Sequence, residues 1–193
     1  MKSLMLLSDQ QLVHLYLEGN SAALSTLVLR YKSKLYTSIY LLVKDKYLAE
    51  DMFQDVFIRV IDKLKSGHYT EEGKFLPWIM RIAHNMCLDH FRKTKRMPAI
   101  KTSDDIDIFE TLNFAVKSAE ECIITTESHE RVRKMLDMLP QDQREIIIMR
   151  HYADLTFKEI AALMNISINT ALGRMRYGLI NLRKTMVEKQ IAL

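Results

Sequence analysis

The chain has 193 residues, of which 48% are hydrophobic and 27% charged, with a formal net charge of +4. This composition is typical of a soluble globular chain that forms one domain or two small ones. Two cysteines without a CxxC motif exclude a disulfide framework, and no apolar run approaches the ~18 residues of a membrane span. The opening MKSLMLLSDQQ turns polar too soon for a secretory signal, so we expect a cytoplasmic protein without membrane insertion.

Scarce Gly (5) and Pro (3) favour long helices joined by short loops. In the first half, Ser8 and Gln11 form a capping-box pattern, Asn20 can cap a second helix, and Pro98 stops a fourth one, which holds Pro77 in its first turn. Apolar residues recur at helical spacing within each segment. These patterns predict helices at about 8–18, 20–43, 47–65 and 74–96.

Charge is distributed along the chain in three blocks. Seven Lys or Arg and one acid lie between Lys74 and Lys101, eight acids and one base lie at 102–130, and four bases and no acid lie at 165–186. Residues 97–115 have no clean apolar period, and the helical pattern resumes from Ala119. The sequence therefore predicts two small helical domains, 1–97 and 119–193, joined by an acidic linker at 98–118.

The strongest local pattern lies at 156–184. Thr156 and Glu159 form a second capping box, Asn165 suits the left-handed turn that follows, and a last helix is predicted at about 168–188. Helix, three-residue turn and helix together indicate a helix-turn-helix, whose second helix enters a DNA major groove. Small Ala161 and Ala162 are expected to let the two helices approach closely. The core between them is expected to contain Ile160, Leu163, Ile168, Met175, Leu179 and Leu182.

The start of the last helix carries polar side chains suited to DNA. Ser167, Asn169 and Thr170 are short enough to reach base edges and phosphates, and Arg174 and Arg176 follow one to two turns later. A helical hairpin with a solvated basic face would show the same arginines. Because the cap, the turn and the absence of acids agree with one another, we favour DNA binding.

A polar stripe runs along the fourth predicted helix, opposite its apolar one. Its members are spaced by four, four, three and four residues: Arg81, Asn85, Asp89, Arg92 and Arg96. With Trp78 near its start, this stripe suits single-stranded or melted DNA, in which arginines hold phosphates and an aromatic ring receives a base. Trp78 by itself is more typical of a core residue.

A small acidic cluster lies on the third predicted helix, at Asp51, Gln54 and Asp55. The residues alone indicate surface solubility. No His or third acid stands at ligand spacing, so acid–base chemistry or a metal site is disfavoured, and no cofactor is expected.

These segments together resemble the extracytoplasmic-function class of bacterial sigma factors, over nearly the whole chain. LAEDMFQDVFIRV (48–60) is similar to the region 2.2 helix, FLPWIMRIAHNMCLDHFRKTKR (75–96) to regions 2.3 and 2.4, and LPQDQREIIIMRHYADLTFKEIAALMNISINTALGRMRYGLINLRK (139–184) to region 4. Three motifs in this order, with an acidic linker between, are highly specific to the family.

The resemblance implies an all-α fold with sigma regions 2 and 4, and core RNA polymerase and promoter DNA as partners. Asp51, Gln54 and Asp55 would dock on the clamp helices of the largest polymerase subunit, and region 4 on the flap of the second-largest subunit. The family commonly uses an anti-sigma factor as a further partner. Contacts to the minus-ten element are implied for Trp78, Arg81, Asn85, Asp89, Arg92, Lys93 and Arg96. Contacts to the minus-thirty-five element are implied for Ser167, Asn169, Thr170, Gly173, Arg174, Arg176 and Tyr177.

We therefore expect a promoter-specificity subunit that melts DNA through region 2 and catalyses nothing itself. Two other classes stay open from the residues. A helix-turn-helix repressor would bind a duplex operator tightly without polymerase. A helical enzyme would need a nucleophile, metal or phosphate-loop motif, and none is found in the sequence.

Overall fold

The computed structural model describes residues 4–69, 74–96 and 132–188. Within these ranges the chain forms helices and short connections, and no strand occurs. A 3-10 turn at Leu4–Leu6 precedes seven helices, which are α1 (Asp9–Leu17), α2 (Ser21–Val43), α3 (Lys46–Lys65), α4 (Phe75–Arg96), α5 (Gln141–His151), α6 (Phe157–Met164) and α7 (Ile168–Glu188). Residues 132–137 are also helical. The predicted all-α class is confirmed.

The chain divides into two compact units, Met1–Ile100 and Lys101–Leu193. The linker predicted at 98–118 and the helical pattern predicted from Ala119 to residue 131 lie outside the described residues. No helix in the described ranges combines the length and the apolar character that crossing a bilayer requires.

In the first unit, α2 packs against α1, α3 and α4, and α3 packs against α4. Its centre is apolar, with Leu12, Leu27, Leu35, Phe75 and Ile79 fully buried. Local capping explains where the helices begin. The Ser8 hydroxyl accepts from Gln11 N at 3.2 Å while Gln11 Oε1 accepts from Ser8 N at 2.9 Å, the reciprocal pair that the sequence predicts.

The same logic sets the ends of α2 and the start of α3. Asn20 Oδ1 accepts from Ala22 N at 3.1 Å, as predicted. Lys44 ends α2 in the left-handed conformation with φ 62°, and Asp45 then caps α3 by accepting from Leu48 N at 2.9 Å. The sharp α2–α3 connection therefore needs only two residues.

In the second unit, α7 packs against both α5 and α6, and α5 contacts α6. Arg150 near the end of α5 donates to the carbonyl of Leu155 at 2.9 Å and lies over the Phe157 ring, 5.5 Å from its centroid. One arginine thus fixes the connection from α5 to α6, which leads into the turn of the helix-turn-helix.

The core predicted for the helix-turn-helix is partly wrong. Ile160, Leu163 and Met175 are buried, but Ile168 is 46% exposed and Leu179 is 47% exposed. The reason is that α7 buries a stripe through Ala171, Met175 and Gly178, and Leu179 lies about 100° around the helix from Gly178. Ile168 stands at the first position of α7, at the end of that stripe.

The expected role of the two small residues in α6 also needs correction. Ala161 is buried, whereas Ala162 is exposed. Adjacent positions on an α-helix point about 100° apart, so only one of the pair faces the helix packed against it. Close approach at this point rests on Ala161 alone.

Candidate nucleic-acid interface

Both ends of α6 are fixed by the residues that the sequence singles out. Thr156 Oγ1 accepts from Glu159 N at 3.3 Å, and Glu159 Oε2 accepts from Thr156 N at 2.8 Å, which completes the predicted capping box. At the other end Asn165 is left-handed, with φ 54°. The capping box and the left-handed Asn165 define where α6 begins and ends, and Asn165 sets the direction in which the chain continues to α7.

Ser167 starts α7 as its capping residue. Its hydroxyl oxygen lies 3.0 Å from Thr170 N, which donates to it, and 2.8 Å from Thr170 Oγ1. The predicted DNA role of Ser167 and Thr170 therefore coexists with a capping role. With both of these hydrogen bonds in place, the Ser167 hydroxyl keeps either one lone pair or its proton for DNA, depending on which of the two hydroxyls donates.

One face of α7 is open along its first three turns. Asn169, Thr170, Arg176 and Tyr177 are exposed, and Tyr177 shows 62% of its surface. Gly173 lies on the same face, and a Cβ atom added there would meet nothing within 4 Å. Together with the absence of acids at 165–186, this face offers hydrogen-bonding groups and positive charge to a polyanion.

Arg174 differs from its neighbours on α7. Its Nε lies 3.2 Å from Oδ2 of Asp142 on α5, and its side chain is only 30% exposed. Sequence spacing gave no sign of this pair, because 32 positions separate the two residues. Arg174 thus stands at the margin of the open face, held by an acid of the neighbouring helix.

The predicted polar stripe of α4 lies on the surface. Arg81, Asn85, Asp89 and Arg92 are all exposed, while the opposite stripe of Phe75, Ile79, Ile82 and Met86 is buried as predicted. Arg92 forms an ion pair with Asp89 at 3.1 Å, both largely exposed. Lys93 is also exposed, and the side chain of Arg96 lies outside the described part of the chain.

Trp78 belongs to an aromatic cluster at the start of α4. Its ring centroid lies 4.2 Å from that of Tyr69 and 5.7 Å from that of Phe75. Phe75 is fully buried, whereas Tyr69 and Trp78 are half-buried. Trp78 therefore packs at the edge of the core as a core residue would, and part of its surface stays accessible for the proposed contact with a base.

The acidic cluster of α3 borders the end of the α4 stripe. Asp51, Gln54 and Asp55 are exposed. Asp51 and Asp55 line a groove between α3 and α4 together with Arg59, Asp89, His90, Arg92 and Lys93. Arg59 and His90 were not among the residues predicted from the sequence. Arg59 could have been predicted, because it lies four residues after Asp55 and therefore on the same face of α3. One groove thus carries residues expected to face polymerase and residues expected to face DNA.

No group of three or more His, Cys, Asp or Glu that could hold a metal ion occurs in the described ranges. Cys87 is buried, with its Sγ 3.9 Å from Sδ of Met52. The surfaces found here are suited to binding charged macromolecules through exposed side chains.

Comparison with known proteins assigns both units. The family model described as "Sigma-70 region 2" matches residues 27–97, and "Sigma-70, region 4" matches residues 129–172. The chain is similar to RNA polymerase sigma-H factor of Pseudomonas aeruginosa, with 29% identity over 86% of this chain and 87% of the relative. It is also similar to ECF RNA polymerase sigma-E factor of Escherichia coli (strain K12), with 29% identity over 87% and 88% of the two chains.

Two solved structures share the fold. One is CnrH in complex with the cytosolic domain of CnrY, with a TM-score of 0.66 and 20% identity over 93% of this chain and 97% of that one. The other is the sigma factor RpoE of Bartonella quintana in complex with the anti-sigma factor NepR, with a TM-score of 0.64 and 19% identity over 83% and 94%. Matching regions 2 and 4 in the expected order, with relatives aligned over most of their length, show that the chain belongs to the sigma-70 family as a sigma factor of the extracytoplasmic-function class, which is a transcription initiation factor and not an enzyme.

Proposed function

We propose that this sigma factor binds core RNA polymerase, directs it to a specific promoter and helps to melt the DNA there. The observation that carries the proposal is the pairing of regions 2 and 4 in one chain, each with an exposed, arginine-bearing helix face. Two separate faces suit two separate promoter elements. The protein supplies recognition and docking, and polymerase supplies the chemistry.

The α7 face is the proposed reader of the minus-thirty-five element. Polar side chains on its first turns are exposed, and α6 precedes it in the chain after a three-residue turn, in the order of a helix-turn-helix. Arg174 and Arg176 are the proposed guanine or phosphate contacts, and Asn169 and Tyr177 complete the face. Gly173 leaves room for the backbone of α7 to approach DNA closely.

The α4 stripe is the proposed holder of the minus-ten element in its melted form. Arg81 and Arg92 are exposed cations that suit single-strand phosphates, and Asn85 suits a base edge. The open part of Trp78 suits stacking with an unpaired base. A protein that binds single-stranded DNA more tightly than duplex DNA shifts the equilibrium towards the separated strands.

The proposed docking surface for polymerase is Asp51, Gln54 and Asp55 on α3, directed at the clamp helices of the largest subunit. Two exposed carboxylates one helical turn apart would meet basic residues on the partner, which favours association rate and register. Region 4 is proposed to dock on the flap of the second-largest subunit.

The proposed domain boundaries are 1–97 for region 2, 98–118 for an acidic linker and 119–193 for region 4. A cytoplasmic location is part of the proposal, because promoter DNA and polymerase are there. An anti-sigma factor is a further partner to test, since the Bartonella quintana sigma factor that shares this fold was solved with one.

The proposal is tested by run-off transcription with core RNA polymerase. Promoters are first selected from a random library with the reconstituted holoenzyme, and the best template is then transcribed with and without this protein. We expect a discrete run-off product only in its presence. Equal initiation by core enzyme alone, or no selected promoter at all, would contradict the proposal.

A pull-down separates the sigma function from that of a helix-turn-helix repressor. A sigma factor binds core polymerase strongly and free duplex promoter weakly. A repressor would show the reverse order of affinities. Retention of core polymerase on the immobilised full chain is therefore the expected result.

A further inference from the structure

The first turn of α5 contacts α7 through Asp142 and Gln143, two residues that are not among the proposed DNA contacts. Asp142 Oδ2 lies 3.2 Å from Nε of Arg174, and Gln143 Oε1 accepts from Asn181 Nδ2 at 2.8 Å. Arg174 and Asn181 are seven residues apart, which is two helical turns, so both lie on the side of α7 that faces α5. Arg174 is thus clamped at the edge of the open face.

The clamp engages only one part of the guanidinium group. The contact with Asp142 is an ion pair whose recorded approach is at Nε, and within the described part of the chain no other residue pairs with the Arg174 guanidinium group. The two terminal nitrogens form the fork that binds a guanine edge or a phosphate in bidentate fashion. Asp142 therefore contacts Arg174 at Nε and leaves the two terminal nitrogens available to DNA.

Asp142 is itself well fixed. Its Oδ1 accepts from the backbone N–H of Gln143 at 3.1 Å, and it lies in the first turn of α5, where the helix dipole favours a negative charge. A fixed carboxylate restricts the rotamers of the arginine that it binds. Binding DNA then costs less side-chain entropy than it would with a free arginine.

We propose that Asp142 is a positioning residue for promoter recognition, which acts by orienting Arg174 towards the minus-thirty-five DNA. This inference rests on the proposed function of α7. It assigns to an acid on α5 a part in a site that is otherwise basic and polar. A carboxylate close to DNA is unfavourable for general phosphate attraction, so its benefit is confined to the sequence that Arg174 reads.

A purely stabilising role of Asp142 would predict that removing its charge lowers the stability of the chain, whereas the positioning role does not. The carboxylate side chain of Asp142 is 49% exposed, and half-exposed ion pairs contribute little to folding stability. Removing the charge should therefore leave thermal unfolding of the chain nearly unchanged. The effect on DNA should lie in discrimination between sequences.

The test compares holoenzymes that contain wild type or Asp142→Asn. Each is titrated with the selected promoter duplex and with the same duplex carrying a scrambled minus-thirty-five element. We expect the ratio of the two affinities to fall about 3- to 10-fold in the variant. Affinity for the scrambled duplex should stay equal or rise. Glu188→Gln, which removes one exposed charge at the far end of α7, should leave the ratio unchanged.

Two further variants tie the effect to Arg174. Asp142→Glu keeps a carboxylate within reach of Nε and should recover most of the ratio. In an Arg174→Ala background, Asp142→Asn should cause no additional loss. An unchanged ratio in Asp142→Asn, or the same loss with Arg174 absent, would overturn the positioning role.

The two proposals fail in different ways. If wild-type holoenzyme selects no promoter, the proposed function is wrong. If wild type initiates at a selected promoter and Asp142→Asn discriminates as well as wild type, only the role of Asp142 is refuted.

Discussion

Gly178 lies so close to Ile147 that a Cβ atom at Gly178 would stand 2.9 Å from Ile147 Cδ1. Cδ1 is the far end of the Ile147 side chain, which is only 4% exposed, so any larger residue at position 178 requires this terminal methyl group to shift within the core. This glycine therefore sets how closely α5 and α7 approach. Gly173, five residues earlier on the same helix, has nothing within 4 Å of its own added Cβ.

These two glycines give a matched pair for stability. Gly173→Ala should raise the free energy of unfolding by about 0.5–1 kcal/mol, because alanine restricts the unfolded chain and suits a helix. Gly178→Ala brings the same helical gain but forces the terminal methyl group of Ile147 to shift, which costs about 1 kcal/mol and offsets that gain. Urea unfolding of both variants should therefore rank Gly173→Ala above wild type and Gly178→Ala below Gly173→Ala. Equal stabilisation by the two substitutions would contradict the close packing.

Gly173→Ala should also separate stability from DNA binding. The added methyl group would stand on the open face of α7, in the space proposed for close approach to DNA. We expect holoenzyme affinity for the selected promoter to fall by roughly 1 kcal/mol, about the energetic cost of one poor contact in a protein–DNA interface. Val187→Ala, a change at an exposed position near the end of α7, is the control. Unchanged affinity would place Gly173 away from the DNA.

Local signals in the sequence predicted the helix ends well. The two capping boxes, the Asn20 cap and the left-handed Asn165 are all present where the residues indicated them. Capping depends on residues three or fewer positions apart, so it can be read without knowledge of the packing. The outward face of α4 followed in the same way, from helical period alone.

Long-range contacts could not be predicted from the same reasoning. Leu179 was expected in the core but is half-exposed, because the buried stripe of α7 is set by where α5 and α6 lie. The pairing of Arg174 with Asp142 depends on the same placement. Apolar character shows that a residue prefers burial, but the neighbouring helices decide which apolar residues are covered.

Arg30 on α2 fastens the N-terminal segment to the first unit. Its guanidinium group donates to Asp9 Oδ1 at 2.6 Å and to the carbonyl oxygens of Met5 and Leu7 at 3.0 and 2.7 Å. The Tyr31 hydroxyl donates to the other oxygen of Asp9, and burial, reinforced by that carboxylate, raises the Tyr31 pKa well above its ordinary value. The phenol therefore stays a neutral donor at physiological pH.

Arg30→Ala should destabilise this unit by about 2 kcal/mol, since it leaves a partly buried carboxylate and two carbonyls without their cation. Arg30→Lys keeps the charge but cannot span all three acceptors, so it should be intermediate. Urea unfolding of the full chain, followed by helical circular dichroism, measures both. As a control, Lys63→Ala removes an exposed cation elsewhere and should change the free energy of unfolding little. An equally small effect of Arg30→Ala would contradict a stabilising role for the Arg30 contacts.

The docking proposal predicts a large effect from charge reversal on α3. Asp51→Arg with Asp55→Arg should weaken binding to core polymerase about tenfold or more at low salt, because like charges would then face each other. Both side chains are exposed, so thermal unfolding should be nearly unchanged. Binding is measured by titrating labelled sigma with core enzyme.

A control with the same change in net charge distinguishes docking from bulk electrostatics. Glu18 and Glu50 are exposed acids that do not line the α3–α4 groove. Glu18→Arg with Glu50→Arg should leave polymerase affinity close to that of wild type. Equal affinities for both double variants would remove the basis for placing polymerase on Asp51 and Asp55.

The α4 stripe predicts a specific change in salt dependence. Each single-strand phosphate held by a cation contributes ~0.7 to the slope of log affinity against log salt. Holoenzyme that contains Arg81→Ala with Arg92→Ala should therefore bind a fork DNA, single-stranded over the minus-ten element, with a slope reduced by between about 0.7 and 1.4. Lys63→Ala, an exposed cation on α3, should keep the wild-type slope. Because Arg92 already pairs with Asp89 in the free protein, we expect Arg92 to contribute less of the change in slope than Arg81. An unaltered slope in the double variant would show that the stripe binds no phosphate.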